Sequence, residues 1–340
     1  MEKTTLNAAL AFIALLAVLA FFKGLTETRI TFKGQAEAAW AAWKVQHNKT
    51  YGGPEETHRF NVFKNNLRIV QDHNAQKKNY TLALNQFADL TNKEFASLYT
   101  GASVVFKKAN QDCPTPTLRA TVAVPDTLDW RTQGRVGPVK NQAMCGSCWA
   151  FSSTGALEGL AAAKTGKIPS FSEQQLVDCT TGSWGNYGCG GGWVQNSFHY
   201  VMQKGIGGED EYPYKGVDQS CQDSKVTNPF KISGCANVDT NSVDALKQAL
   251  QNGPVSIYVE ADTSAFQMYS SGVVDDTSCF SEGQIDHAVL AVGYTKDAWI
   301  VKNSWGSSWG QNGYIQISQD ITKDARGICG ILSTPNVYPL

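Results

Sequence analysis

Beyond its first 24 residues the chain lacks any uncharged apolar run that could cross a bilayer. The stretch from Ala8 to Phe22 carries no charge, and it lies between Lys3 and Lys23. At about 15 residues it is shorter than the ~20 that a membrane-spanning helix needs, but it has the length of the apolar part of a secretory signal. We therefore predict a signal peptide at residues 1–24, with a retained signal anchor as the alternative, and no other membrane contact.

The chain also has almost no net charge, with 29 Lys+Arg against 30 Asp+Glu. Residues 1–123 nevertheless hold 15 basic and 9 acidic side chains, whereas residues 124–340 hold 14 and 21. A basic N-terminal piece should bind an acidic body near neutral pH and lose that attraction as carboxylates protonate, around pH 4. The alternative is a chance fluctuation of surface charge. We expect no nucleic-acid partner.

Cysteine and histidine are unevenly distributed. The nine cysteines are an odd number, so in an oxidising compartment most should pair and at least one thiol should remain. Histidine is scarce after Val124, where only His199 and His287 occur. The eight cysteines in that part are Cys145, Cys148, Cys179, Cys189, Cys221, Cys235, Cys279 and Cys329.

The part before Val124 reads as helical. A helix is expected from Gln35 to Asn48, and a longer one from Pro54 to about Lys78, with apolar residues at three- and four-residue steps. Alternation predicts a strand over Thr81–Phe87, and a capping box at Thr91 predicts a third helix. The segment Lys107–Val124, rich in Pro, Thr and Ala, reads as an exposed linker that is readily cut.

The part after Val124 divides into two compositions. Helix signals dominate to about residue 236, most clearly over Cys148–Lys164 with Gly166 as the stop. From about residue 237 onward, strand signals replace them. This order predicts an α+β protein with a helical lobe, a β lobe and a cleft between them. The predicted strands are Val255–Ala261, His287–Tyr294, Trp299–Asn303 and Tyr314–Ser318.

Three polar residues form a candidate catalytic set. Cys148 heads a helix, whose N-terminus stabilises a thiolate. His287 begins a strand and Asn303 ends the next, so the amide can orient the imidazole, with Trp305 shielding that hydrogen bond. Each residue alone has an ordinary structural explanation, and His199 is expected to be a packed or surface histidine. Their combination indicates nucleophilic catalysis.

The run Gln142–Phe151 contains Cys145-Gly146-Ser147-Cys148-Trp149, which fits the signature C-G-[SA]-C-[WY]. His287 and Asn303 follow Cys148 by about 140 and 155 residues, close to the usual spacing. The chain therefore resembles a papain-family cysteine protease precursor. Two motifs before Val124 resemble the cathepsin L and H branch: Glu55, Arg59, Phe63, Asn66, Val70 and Asn74, then Asn85, Phe87 and Asp89 with Ala83 in place of a glycine.

That resemblance implies a papain-like two-lobed fold, with a helical lobe over about 133–236 and a β-barrel-like lobe over about 237–336. It implies an inhibitory helical propeptide at 25–123 and a mature domain at 124–340. Cys148 would be the nucleophile, His287 the acid and base, Asn303 the orienting amide and Gln142 an oxyanion donor, without metal or organic cofactor. The implied disulfides are Cys145–Cys189, Cys179–Cys221 and Cys279–Cys329.

By motif position the resemblance also implies a substrate site without a charged residue, so an apolar side chain is favoured at the residue before the scissile one. Expected partners are protein and peptide substrates, the chain's own propeptide and cystatin-like inhibitors, and the protein is expected to be a monomer. It should follow the secretory route to a lysosome or similar acidic vacuole, or be secreted. Asn48 and Asn79 fit the N-glycosylation pattern. The substrate-site residues are Gly191, Gly192, Trp193, Val194, Tyr258, Ile285, Ala288 and Thr334.

Three other functions are compatible with parts of the sequence. The Cys145-x-x-Cys148 spacing could serve dithiol redox chemistry, but no βαβ pattern surrounds it. A non-catalytic binding protein is disfavoured by the intact catalytic set. A cathepsin H-like aminopeptidase would keep a propeptide fragment tethered through Cys113. Thr334 stands where the partner cysteine would be expected, which leaves Cys235.

Overall fold

A computed structural model describes residue 32 and residues 34–101, 112–116, 124–280 and 284–340. The predicted signal peptide and most of the predicted linker lie outside these residues. Among the described helices, none has both the length and the apolar character needed to span a bilayer. The chain divides into two compact units, one ending at Arg68 and one running from Ile69 to Leu340.

The elements alternate irregularly between helix and strand. The helices are α1 (34–46), α2 (Gly53–Ala75), α3 (Asn92–Tyr99), α4 (Cys148–Thr165), α5 (Glu173–Cys179), α6 (Val194–Gln203), α7 (Val243–Ala249) and α8 (Ser264–Gln267). The strands are β1 (Tyr80–Leu82), β2 (Leu128–Asp129), β3 (Cys235–Asn237), β4 (Val255–Val259), β5 (Tyr269–Val274), β6 (His287–Tyr294), β7 (Ala298–Lys302), β8 (Tyr314–Ser318) and β9 (Val337–Pro339). Short 3₁₀ turns lie at Gly182–Trp184, Gly188–Gly190, Asp223–Lys225, Thr277–Phe280 and Ile328–Gly330.

The first unit is built on stacked aromatic rings. Trp40 of α1 stacks on Trp43 with ring centroids 5.3 Å apart, and on Tyr51 at 5.7 Å. Phe63 of α2 is fully buried and packs against both indoles. These aromatic contacts supply the apolar stripe that the helical spacing of the sequence predicted for α2.

The third helix begins at the predicted capping box. The Thr91 hydroxyl accepts a hydrogen bond from the Glu94 N–H, and the Glu94 carboxylate accepts one from the Thr91 N–H. The predicted strand over Thr81–Phe87 is wrong in length, because β1 ends at Leu82. The Asn85 side chain accepts a hydrogen bond from the Phe87 N–H and folds the backbone into a turn there.

The nine strands of the described residues form one sheet in the order β1-β5-β8-β7-β6-β4-β9-β3, with β2 also on β6. All pairs are antiparallel except β5 with β8. The path is open, which corrects the expected barrel-like closure. The three-residue strands β1 and β3 end the path, and in the described part of the chain no pairing joins them.

Strand β6 separates two apolar cores, because all of its residues are buried. Val289 and Ala291 face a core made with β4, β7, β8 and part of the segment before Val124. Leu290 and Val292 face a second core, made with α4 and α6. This alternation follows the two-residue period of a strand, and it sets α4 directly against β6.

Candidate active site

Cys148 is the first residue of α4. The helix ends at the predicted stop, Gly166, whose φ of 74° is left-handed. The Ala288 N–H donates to Cys148 Sγ at an N···S distance of 3.5 Å, which brings β6 to the thiol. Cys148 is 3% exposed. Burial raises the pKa of its thiol to about 12, although the Ala288 N–H opposes that change.

His287 and Asn303 meet because β6 and β7 are antiparallel neighbours. Nε2 of His287 lies 2.9 Å from Asn303 Oδ1, which also accepts the Ser304 N–H at 2.8 Å. Since that oxygen can only accept, Nε2 carries the proton and Nδ1 is left as an acceptor. Nδ1 has no partner within the described ranges. Burial lowers the pKa of His287 to about 4, although the Asn303 hydrogen bond opposes that change.

The ring of Trp305 covers the His287–Asn303 hydrogen bond. The indole and the imidazole stack with centroids 4.6 Å apart and 24° between their planes. Trp305 is 1% exposed and also contacts Phe95 and Trp309 edge-on. The arrangement matches the shielding role that the sequence suggested for this residue.

Gln142 contacts the loop that leads into Cys148. Its Nε2 donates to Cys145 O at 2.9 Å and to Tyr99 O at 3.1 Å, while its Oε1 accepts from the Ser304 hydroxyl. These contacts fix which end of the amide faces the site. A carbonyl oxygen, that of Tyr99, therefore already occupies the donor that was assigned to a substrate oxyanion.

The segment Tyr99–Gly101 crosses the site. The resemblance implied an inhibitory propeptide in the cleft, but the sequence did not indicate which of its residues lie at the thiol. Tyr99 O also accepts from Trp305 Nε1 at 3.1 Å, and the Gly101 N–H donates to Asp286 O at 2.8 Å. A Cβ on Gly101 would lie 3.5 Å from Cys148 Sγ. The only local signal is that these residues directly follow the capped helix α3. Their carbonyl and amide groups cover the thiol.

Of the predicted substrate residues, Trp193 and Val194 contact Tyr258. Its ring meets Trp193 edge-on with centroids 5.4 Å apart, and its hydroxyl accepts the Val194 N–H and donates to Gln195 Oε1. Gly192 must be glycine, because a Cβ there would lie 2.7 Å from Asn186. The remaining members of the set are Gly191 beside Gly101, buried Ile285, buried Ala288, and Thr334 in the loop before β9.

The described residues contain four disulfides, which include the three implied pairs Cys145–Cys189, Cys179–Cys221 and Cys279–Cys329. The fourth joins Cys113 to Cys235, two of the three cysteines left over from those pairs. Cys148 is the free thiol of this part of the chain. Cys145 and Cys148 therefore do not form a dithiol pair, because Cys145 is bonded to Cys189.

Cys113, His199 and Cys235 are the group of potential metal ligands found in the described residues. Their ligand atoms lie within 4.8 Å of one another. Both sulfur atoms are shared in the Cys113–Cys235 disulfide, so neither is a thiolate that could bind a metal. His199 is half-buried on α6, and its Nε2 contacts Asp112 O at 3.0 Å.

Comparison with known proteins identifies the class. Residues 124–339 match the papain family of cysteine proteases, and residues 40–95 match the cathepsin propeptide inhibitor domain I29. The chain belongs to this family and is a cysteine protease zymogen with an I29 propeptide. The predicted family, papain-like fold and hydrolase class are thereby confirmed.

Three relatives illustrate the similarity. The probable cysteine protease RD21B of Arabidopsis thaliana is 43% identical over 317 residues, which cover 90% of this chain and 67% of that protein. Cathepsin K of Mus musculus is 39% identical over 88% of this chain and 93% of its own length. The structure of digestive procathepsin L 3 from Tenebrio molitor has a TM-score of 0.78 and 35% identity, and covers 89% of this chain and 98% of that one.

Proposed function

We propose that Cys148, His287, Asn303 and Gln142 are the catalytic residues of a cysteine endopeptidase. The observation that carries the proposal is the hydrogen bond between His287 Nε2 and Asn303 Oδ1 at 2.9 Å, made beside the thiol at the start of α4. It leaves Nδ1 as the ring's proton acceptor. The remaining requirements, a helix N-terminus and an amide donor, are met by α4 and Gln142.

The reaction follows from these groups. Nδ1 of His287 takes the Cys148 proton, and the thiolate attacks the carbonyl carbon of a peptide bond. The Cys148 N–H and Gln142 Nε2 donate to the developing oxyanion, a contribution of about 3 to 4 kcal/mol per donor in a well-measured hydrolase. His287 then protonates the departing amine, and the C–N bond breaks. The imidazole next takes a proton from water, the hydroxide releases the acyl group as a carboxylic acid, and the thiol is regenerated.

In the zymogen the segment Tyr99–Gly101 takes the place of substrate. Tyr99 O accepts the hydrogen bond that Gln142 Nε2 donates, and Gly101 lies against the thiol of Cys148. Burial beneath this segment favours the uncharged thiol and the uncharged imidazole over the ion pair, since a low-dielectric site penalises both charges. Removal of the segment would return water and restore the reactive pair.

A matched set of variants tests the catalytic assignment. Cys148→Ser should abolish hydrolysis of a fluorogenic peptide and also labelling by a thiol-directed epoxide. His287→Ala should abolish both while leaving the far-ultraviolet circular dichroism unchanged. Asn252→Ala, an exposed turn residue away from the site, should retain wild-type turnover. Activity that survives Cys148→Ser would contradict the proposal.

An apolar side chain is proposed at the residue before the scissile one, the second residue on the amino side of the cleaved bond. The support is the absence of charge among the pocket residues and the position of Tyr258, whose hydroxyl is tied to Val194 and Gln195 and so narrows the pocket. Tyr258→Ala should shift preference from Leu or Val toward Phe in a peptide library, whereas exposed Tyr187→Ala should not. Equal turnover of Phe, Leu and Arg substrates by the wild type would contradict it.

The endopeptidase assignment is preferred to the aminopeptidase alternative. The Cys113 segment is tethered, but its described residues hydrogen-bond to His199 on α6 and Asn237 on β3, neither of which is among the proposed catalytic residues. An unblocked cleft accepts substrate on both sides of the cleaved bond. An N-terminally blocked peptide cut internally supports the endopeptidase, and activity confined to free N-termini supports the alternative.

The cellular route and the remaining partners are also proposed. Disulfides form in oxidising compartments, which supports the secretory route, and an acidic vacuole or secretion as its end. Asn48 and Asn79 are exposed, as a glycosylation acceptor must be. We expect a monomer that cystatin-like inhibitors block. Endoglycosidase shifts of single Asn→Gln variants, and a sizing column with light scattering, test these points.

A further inference from the structure

The segment Asp112–Pro114 is bound to the protease body by more than its disulfide. The Asn237 N–H at the end of β3 donates to Pro114 O at 2.9 Å, so the segment adds main-chain pairing at the edge of the sheet. The Asn237 side chain donates to Cys113 O at 2.5 Å and to Asp112 Oδ1 at 2.8 Å. Cys113, Cys235 and Asn237 are 3%, 3% and 4% exposed. The body would lose buried hydrogen-bond partners if the segment left.

A chain of side-chain hydrogen bonds leads from Asn237 through Gln195 to Tyr258 in the proposed substrate pocket. Because Asn237 Nδ2 serves the segment, its Oδ1 faces Gln195 and accepts from Gln195 Nε2 at 3.4 Å. Gln195 Nε2 also donates to Pro335 O at 3.3 Å, so its Oε1 faces the Tyr258 hydroxyl at 2.7 Å. The hydrogen bond to the segment sets the orientation of the Asn237 amide, and Asn237 in turn helps to set the orientation of the Gln195 amide. The segment is therefore the first member of a chain that ends at Tyr258.

We propose that the Cys113 segment stays on the protease after the propeptide is cut, as a permanent disulfide-held part of the enzyme that positions Tyr258. The crosslink spans 122 residues and joins the two sides of any cut made between Cys113 and Val124. A tether of this kind holds its segment at an effective concentration of about millimolar or more, so the hydrogen bonds persist after cleavage. The positioning role rests on the proposed function of the pocket, whereas the retention does not.

Retention is tested without using the protein's own activity. The full-length Cys148→Ser zymogen is cut with thermolysin, and its intact mass is measured before and after dithiothreitol. The reductant supplies two electrons and two protons to the disulfide and leaves as its cyclic disulfide. We expect a peptide containing Cys113 to remain attached until reduction. Its loss from an otherwise intact body before reduction would overturn the proposal.

The positioning role is tested with the active enzyme. Asn237→Asp keeps the disulfide but cannot donate to Cys113 O, and should raise KM about 2- to 10-fold for a substrate with leucine before the scissile residue, with kcat unchanged. The double variant Cys113→Ser/Cys235→Ser should give the same shift and release the segment. Ser233→Ala, whose hydroxyl bonds Leu340 O nearby, is the matched control. An unchanged KM in both Asn237→Asp and the double cysteine variant would overturn the positioning role. A wild-type enzyme that is inactive but still retains the Cys113 segment would contradict only the proposed function.

Discussion

The carbonyl oxygen of Tyr99 accepts a hydrogen bond from Gln142 Nε2 at 3.1 Å, and Gly101 lies against the thiol of Cys148. A backbone segment that comes before Val124 therefore covers the sulfur of Cys148. Burial of the two side chains shifts their pKa values. It raises the pKa of Cys148 and lowers the pKa of His287. Between those two values both groups are uncharged.

Thiol reactivity should therefore change sharply on processing. At pH 7 the zymogen should react with iodoacetamide at least about 100-fold more slowly than the processed enzyme, because the thiolate is the nucleophile and a thiol with a pKa of about 12 is almost wholly protonated. The reaction rate against pH gives the apparent pKa of each form. Unfolded zymogen in guanidinium is the control, and it should show an ordinary thiol pKa. Equal rates for zymogen and processed enzyme would contradict this account.

Removing the Asn303 amide should slow the chemical step without weakening substrate binding. Asn303→Ala leaves the His287 imidazole free to turn and to exchange tautomers, so kcat should fall about 10- to 100-fold with little change in KM. Steady-state kinetics on the processed enzyme measure both constants. A variant that raised KM alone would indicate that Asn303 acts in substrate binding instead.

Acid should weaken the contact between Lys78 and Asp276. The two groups form a salt bridge at 2.7 Å. Burial acts to raise the pKa of Asp276, but hydrogen bonds from Lys78 and Ser278 hold it below 3.8. A carboxylate with a lowered pKa stabilises the covered state above its free pKa, and that stabilisation is lost as pH falls through the lowered value. A partly exposed pair of this kind contributes about 0.2–1 kcal/mol.

Asp276→Asn should consequently speed self-processing of the zymogen at pH 5–7, and the difference from wild type should shrink below pH 3.8. Processing is followed by the loss of full-length protein on gels at a series of pH values. Asp239→Asn, at an exposed site, is the control and should process like the wild type. A constant difference across the whole pH range would rule out titration of Asp276 as the cause.

The buried charges beneath α4 should make Lys140 important for stability. Lys140 Nζ lies 2.7 Å from Glu173 and 3.3 Å from Glu158, both nearly fully buried. Lys140→Met would remove the ion-pair partner of both buried carboxyl groups, and should lower the free energy of unfolding by about 3–5 kcal/mol at pH 7.5. Urea denaturation in the Cys148→Ser background measures this loss without self-digestion.

The loss should be smaller at pH 4.5 than at pH 7.5. Burial raises the pKa of both Glu158 and Glu173, the latter to about 7 despite Lys140. A carboxyl group with a raised folded pKa favours the folded state below its unfolded pKa, and that benefit is lost as pH rises through the folded value. Exposed Lys231→Met is the matched control, with an expected change within about 0.5 kcal/mol. A loss that does not vary with pH would exclude titration of these carboxyl groups.

Several elements were predicted closely because their signals are local. Strand β6 has the predicted bounds, α4 begins at Cys148 and stops at Gly166, and α3 has its predicted cap. The strand predicted over Thr81–Phe87 ends already at Leu82, and at Asn85 a side-chain hydrogen bond to the backbone competes with strand pairing. Local patterns do not contain the partner strands that settle such a competition.

The amino-acid sequence alone determined the reactive residue types, their order and the odd cysteine count, since these are properties of composition and spacing. Tertiary structure alone decided that Cys113 pairs with Cys235, that Tyr99 occupies the Gln142 donor, and that the sheet remains open. Each of these joins residues far apart in the chain. Their meeting depends on how the helices and strands pack, and the free energy of that packing is not a property of any single segment.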